Sequence, residues 1–390
     1  MPFLVYLLAL AVFAQGTSEF MLSGLLPGIA ADLGVSVAAT GLLTSGFALG
    51  MVVGAPTMAV LARRLPPRWT LGGFLLLFIA AHAVGACAGD FGTLFLTRIL
   101  AALANAGFLA VALSTVARAV PPSSRTRALA VILGGTTVAL IAGVPAGALV
   151  GDAFGWRASL WVLAGLCLPA LGGILVAAPA AAGPRAAASL REELSALRRP
   201  VLLRFILLAA LANAATFCTF TYLAPMVTDG ARLPAAAVPA VLALFGAGSC
   251  IGVFAAGRFG DRHWGALIRV VAPAALVGWM LLGTALRSPL AVWILVLPLG
   301  ALSFCLGSVL VARTIGTAES APNLGGSFAT AALNLGAVVG PIAGGAMLGI
   351  AGPAGPAMSS AAFALVALLL GWSAAGGAHE DREPGGPADG

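Results

Sequence analysis

Apolar stretches of about 20 residues, separated by short polar breaks, recur along nearly the whole chain, and that spacing commits it to a lipid solvent. Of 390 residues, 61% are hydrophobic and 8% charged, so too little polar sequence is left to wrap a soluble domain. In hydrocarbon every backbone amide needs a partner within the protein, which leaves helices or a closed barrel. Barrel strands would alternate apolar and polar residues, and no such alternation is present, so the segments read as helices.

Twelve spans follow, near 3–28, 38–61, 70–88, 92–117, 128–150, 158–178, 201–227, 236–256, 267–286, 290–312, 324–349 and 354–374. The first twenty residues resemble a signal peptide, but no basic residue precedes Arg63, so this segment reads as a retained helix. The net charge of +7 comes entirely from arginine, and the arginines sit in brief loops, which argues for a topology signal and against nucleic acid. With both termini cytoplasmic, sixteen loop arginines lie inside and three, Arg157, Arg232 and Arg287, lie outside. A bacterial inner (cytoplasmic) membrane, entered by an even number of crossings, is the expected setting.

The chain divides into an amino-terminal six-helix bundle (1–178), a linker (179–200), a carboxyl-terminal six-helix bundle (201–375) and a cytoplasmic tail (376–390) expected to be disordered. Ser189 and Glu192 read as a capping box, with Leu190, Leu194 and Leu197 on one face, so the linker is expected to carry an amphipathic helix along the membrane surface. A shift of 198 residues places Phe47 on Phe245, Gly50 on Gly248, Gly54 on Gly252 and Arg64 on Arg262. A shift of 197 places Gly143 on Gly340 and Gly147 on Gly344. The fold class is therefore all-α integral membrane, with two pseudo-symmetric bundles in parallel repeat, an arrangement suited to rocking about a central site.

Energy sources are narrowed by what is missing. No phosphate-binding loop with its lysine occurs, and no lysine occurs at all, which excludes direct ATP drive by this chain and any Schiff-base cofactor. His82, His263 and His379 are too scattered for a metal site, and His82 reads as a satisfied core histidine. The five cysteines stand alone in apolar segments and read as filler. No cofactor and no enzymatic activity are expected, and a proton gradient is the expected drive.

Two charged side chains lie deep inside predicted spans, Glu19 in the first and Arg98 in the fourth, and each costs about 2.5 to 3.5 kcal/mol to insert. Their spacing from the span ends puts both at one depth, as a proton-exchanging pair or a structural one. Gln15 and Ser23 share a face with Glu19, and Asn105 shares one with Arg98. In the second bundle Asn213, Phe217 and Phe220 fall on one face of the seventh span and Asn334 lies midway along the eleventh. These residues are the candidate cavity for an amphiphilic small molecule, with interhelical hydrogen bonding as the alternative role for the asparagines.

On these residues the chain resembles the major facilitator superfamily, and within it the drug:proton antiporters of twelve helices. Gly336-Ala337-Val338-Val339-Gly340-Pro341-Ile342-Ala343-Gly344-Gly345 matches the family's antiporter pattern GxxxGPxxGG, here in the eleventh helix, while the fifth carries the variant Gly143-Val144-Pro145-Ala146-Gly147. The resemblance implies that these segments shape the interface between the halves. Gly257-Arg258-Phe259-Gly260-Asp261-Arg262 is similar to the family's cytoplasmic loop signature, in which the acid and arginine latch the inner gate. The first-half copy, which includes Arg64, departs from it with Arg63 in place of the acid and Pro66 in place of a glycine. Arg98 resembles the fourth-helix arginine that the family ties to proton coupling, without its downstream glutamine and glycine.

Gly16 through Pro27 and the turn Phe154-Gly155-Trp156-Arg157 are most similar to chloramphenicol-resistance exporters, with sugar-efflux relatives nearby. The expected function is thus proton-coupled export of a drug, chloramphenicol first, by alternating access. A sugar or metabolite exporter of the same fold is the alternative, and a non-transporting membrane sensor the outsider. Expected partners are the drug, protons and membrane lipid, with the chain a monomer.

Overall fold

The computed structural model describes residues 3–62, 65–180, 193, 195–318 and 324–377. Eleven helical stretches among them are long and apolar enough to cross a membrane, and the last, Gly325–Gly371, is two helices joined by the short turn Gly352–Ala354. Twelve crossings result, α1 (Phe3–Phe20, resumed as Leu22–Leu33), α2 (Val37–Ala62), α3 (Pro67–Ala86), α4 (Phe91–Ala119), α5 (Arg125–Val138, continued through Val144–Phe154) and α6 (Trp156–Ala177). The second half repeats the plan with α7 (Pro200–Thr221, extended by Leu223–Pro225), α8 (Ala235–Gly260), α9 (Arg262–Thr284), α10 (Pro289–Thr317), α11 (Gly325–Ala351) and α12 (Gly355–Gly377).

Large apolar side chains such as Val176 (81% exposed), Ile350 (79%) and Phe254 (73%) point outward, an arrangement that only a lipid surround makes favourable. Several polar side chains, among them Gln15, Ser18, Arg98 and Asn105, are buried instead. Asp90 begins α4, accepting bonds from the Thr93 amide (2.8 Å) and hydroxyl (2.6 Å). Those Thr93 bonds hold its carboxyl below the usual carboxylate range.

The expected repeat is visible as packing. In the first half Gly50 and Gly54 of α2 lie against Ala102 and Ala106 of α4, and in the second Gly248 and Gly252 of α8 lie against Ala301 and Cys305 of α10. Gly143 and Gly147 of α5 meet Thr17 and Met21 of α1, while Gly340 and Gly344 of α11 meet Ala214 and Cys218 of α7, each pair displaced by the 197-residue shift. Added methyl groups at Gly340 and Gly344 would each stand 2.7 Å from a backbone oxygen of α7, closer than atoms pack, so only glycine permits this approach.

Two expectations are revised, and a third falls on residues that are not described. The 257–266 segment, read as a loop, is helical on both sides of a kink: α8 runs on to the kink and α9 follows it directly, the chain turning at His263, whose backbone is non-helical (φ −127°). The first span runs to Leu33, where Gly34 closes it in the left-handed conformation (φ 64°) that glycine adopts without strain. The capping pair Ser189 and Glu192, with Leu190 and Leu194, lies outside the described residues. Within the described part of the linker, Glu193 is buried and accepts a bond from the Leu324 amide (2.7 Å) at the start of α11, where the helix dipole favours a carboxylate.

Candidate functional site

Two backbone irregularities converge on Glu19. The α1 helix breaks at Met21, two residues beyond it, and α5 loosens into a π-turn over Ala139–Gly143, with Gly143 pressed against Thr17 of α1. The break interrupts the helical repeat of α1 itself, and the π-turn alters α5 where it packs against the same stretch of α1.

Arg98 is 2% exposed, yet it does not form a contact ion pair with Glu19. Its Nη1 donates to the Ser18 hydroxyl (2.8 Å), its Nη2 donates to the Ser18 carbonyl (2.7 Å), and the guanidinium lies 4.6 Å from the Phe47 ring centroid. Its Nε has no partner among the described residues. Glu19, one residue further on, is partly covered, faces the Asn105 amide and lies within the electrostatic field of Arg98. The pair expected to share one depth therefore does so, with the guanidinium tied to the neighbouring residue and the carboxylate left free of it.

His82 completes the cluster. Its Nδ1 lies 2.8 Å from the Phe78 carbonyl and its Nε2 lies 2.7 Å from the Ser18 hydroxyl. A carbonyl only accepts, so Nδ1 carries the proton, and Nε2 accepts the proton of the Ser18 hydroxyl. The histidine is satisfied in the core as its sequence context indicated, but its bond to Ser18, and through it to Arg98, was not foreseen. The nearest signal was that His82 is the sole histidine well inside a predicted span.

The remaining cavity candidates separate into engaged and free groups. Gln15 is fully buried and neither amide atom has a partner among the described residues, a costly state that a water or ligand would relieve. Ser23 donates to the Phe20 carbonyl (2.9 Å) in its own helix. Asn213 donates to the Leu333 carbonyl of α11 (2.7 Å), the interhelical role weighed as the alternative, whereas Asn334 donates to Thr330 of its own helix (3.0 Å). Phe217 and Phe220 meet Phe20 of the first half at 6.0 and 6.1 Å between ring centres, and Phe245 stacks on Phe220 at 4.9 Å. This aromatic cluster bridges the halves one residue from Glu19.

The gating candidates also divide. The close approaches of Gly336, Gly340 and Gly344 are to α7, and those of Gly143 and Gly147 to α1, all within their own halves. Pro145 is buried in α5. Contact between halves is made by neighbours of these residues: Ser45 donates to the Val338 carbonyl (2.8 Å), Gly246 abuts Ile141, and Tyr222 donates from its hydroxyl toward the carbonyls of Pro341 (2.8 Å) and Ala38 (3.1 Å). Tyr222, missed in the sequence, is wholly buried between Gly41 of α2 and Gly345 of α11 and seals the end of the molecule bearing the 34–36 turn. Arg64 lies outside the described residues, Asp261 is placed only by its helix, and Arg262 is exposed with no ion pair among the described residues. The Phe154–Arg157 turn serves as a clamp, in which Trp156 Nε1 (3.1 Å) and the paired Arg157 both reach Asp32 at the end of α1.

Two six-helix bundles in parallel repeat make the architecture of a membrane transporter, and this chain belongs to the Major Facilitator Superfamily, whose model matches residues 8–331. Over 374 residues it is 53% identical to a protein named chloramphenicol resistance protein from Streptomyces lividans, covering 95% of each chain. It is 33% identical over 369 residues to the inner membrane transport protein YdhP of Escherichia coli, covering 94% of this chain and 95% of the relative. The fold is similar to that of a bacterial homologue of the human lysosomal transporter Spinster in an inward-facing, unoccupied conformation, with a TM-score of 0.75 at 16% identity over 98% of each chain. The nucleoside transporter NupG gives the same TM-score at 14% identity, covering 95% of this chain and 98% of that one.

Proposed function

We propose that this transporter is an antiporter that exports a small amphiphilic drug, chloramphenicol first among candidates, in exchange for protons. The observation that carries the reading is Glu19, a carboxylate inside the membrane-spanning bundle that faces an amide and feels, without touching, a buried guanidinium. Such a group can take and release a proton as its surroundings change, whereas one locked in a contact pair would stay charged. The aromatic cluster of Phe20, Phe217 and Phe220 beside it suits a neutral, ring-bearing ligand, and the 53% identical relative carries a chloramphenicol-resistance name. Arginine placement favours both termini in the cytoplasm of a bacterial inner membrane, which makes the end sealed by Tyr222 the outer one. Alternation then consists of opening that end while the linker end closes.

The test is drug accumulation in a chloramphenicol-sensitive host expressing the chain, with and without a protonophore. Low accumulation that rises to the control level on protonophore addition is the expected result. Accumulation equal to control cells throughout, together with sugar counterflow in vesicles, would replace the drug with a sugar.

A further inference from the structure

We propose that His82 is a positioning residue for proton coupling, acting through Ser18 to hold Arg98 off Glu19; this rests on the proton-exchange reading above. The four groups form a one-way chain. Arg98 donates to the Ser18 oxygen, Ser18 donates to His82 Nε2, and His82 donates from Nδ1 to the Phe78 carbonyl. With its proton on the imidazole, the Ser18 hydroxyl keeps its lone pairs turned to the guanidinium. The ring is fixed in turn by its bond to Phe78 and by stacking on the Phe78 ring at 4.1 Å.

The consequence falls on Glu19. With two donors committed to residue 18, the guanidinium lends its field to the carboxylate without closing on it. Remove the acceptor at His82 and the Ser18 hydroxyl loses its direction. One of the guanidinium's two bonds to residue 18 is then weakened, leaving Arg98 held by the Ser18 carbonyl and freer to swing toward Glu19, where a contact pair would hold the carboxylate in its charged form.

The second half shows that packing does not require this chain. By the repeat shifts that superpose the glycine contacts, Ser18 corresponds to Ala215 (shift 197), and His82 and Arg98 to Met280 and Val296 (shift 198), so the second half makes the same glycine contacts with apolar residues at these three positions. The chain of bonds is present only where the acid is.

The experiment uses the full chain in proteoliposomes loaded with chloramphenicol. Drug movement driven by a pH gradient is compared with drug counterflow at equal pH, which needs no net proton transfer. For His82→Leu the gradient-driven rate should fall about tenfold while counterflow stays within about twofold, the scale of one lost buried hydrogen bond to a charged partner. His82→Gln, whose amide oxygen can accept from Ser18, should restore the gradient-driven rate. A His82→Leu variant that keeps both rates, or loses both together, overturns the proposal. Should that variant fail to fold, Ser18→Ala must show the same split, and its absence likewise overturns it. A wild-type chain with counterflow but no gradient-driven movement refutes the proton-exchange reading itself, and the proposal with it.

Discussion

Gly41→Ala tests the sealed end of the molecule. In a helix interior an alanine is ordinarily worth up to about 1 kcal/mol more than glycine, so without tertiary contact the substitution should stabilise. Here the new methyl would stand 2.5 Å from the Tyr222 ring carbon Cζ and closer still to its hydroxyl oxygen. Carbon atoms pack at about 3.5 to 4 Å, so ring and helix must part by about 1 Å or more. Overpacking of this kind costs about 1 to 3 kcal/mol, and the hydroxyl bond to the Ala38 or Pro341 carbonyl adds about 1 kcal/mol when lost. At 1.4 kcal/mol per tenfold, a total of about 2 to 4 kcal/mol lowers the population of this closed arrangement by about 30- to 1,000-fold relative to any state in which α2 and α11 separate. Spin labels at Ser36 and Gly349, on a background with the five cysteines replaced by alanine, report the separation by pulsed resonance. The expected outcome is a second, longer distance in Gly41→Ala, weakened when Tyr222→Phe removes the hydroxyl. A distance distribution identical to the parent's, with thermal stability equal or raised, would refute the sealing role of Tyr222.

Glu19→Gln should insert and fold normally, keep drug counterflow and lose protonophore-sensitive efflux, read as drug accumulation in whole cells; full resistance in that variant would remove Glu19 from the coupling step. Arg98→Lys keeps the charge but not the planar fork that reaches both oxygens of Ser18, so gradient-driven transport should drop by at least about tenfold, and an unchanged rate would show that charge alone suffices. Gly340→Val sets a branched side chain against the Ala214 carbonyl and should abolish stable insertion, measured as loss of the monodisperse species in detergent; Gly248→Val, at the α8–α10 contact of the same half, should do the same.

Helix number, the two-fold repeat and the location of the rare buried charges were legible in the sequence because each follows from local chemistry. A run of apolar residues must be helical in lipid wherever it packs, loop arginines report sidedness, and a charge inside a span is conspicuous by its cost. The glycine registers at 50 and 54, and at 143 and 147, were readable for the same reason, since they recur at the repeat distance. Partner choice was not readable. Glu19 and Arg98 were correctly set at one depth, but that Arg98 would spend its donors on Ser18 depended on α3 bringing His82 to the other side of that hydroxyl. Asn213 and Asn334 had the composition of cavity residues, and only the neighbouring backbone of α11 turned the first to an interhelical bond and the second to a carbonyl of its own helix. Tyr222 carried no pattern at all, because its meaning comes from Gly41 and Gly345, far apart in the chain and on opposite halves. Sequence determines what each helix can tolerate around it; which side chains complete one another's hydrogen bonds is decided when the helices are set side by side.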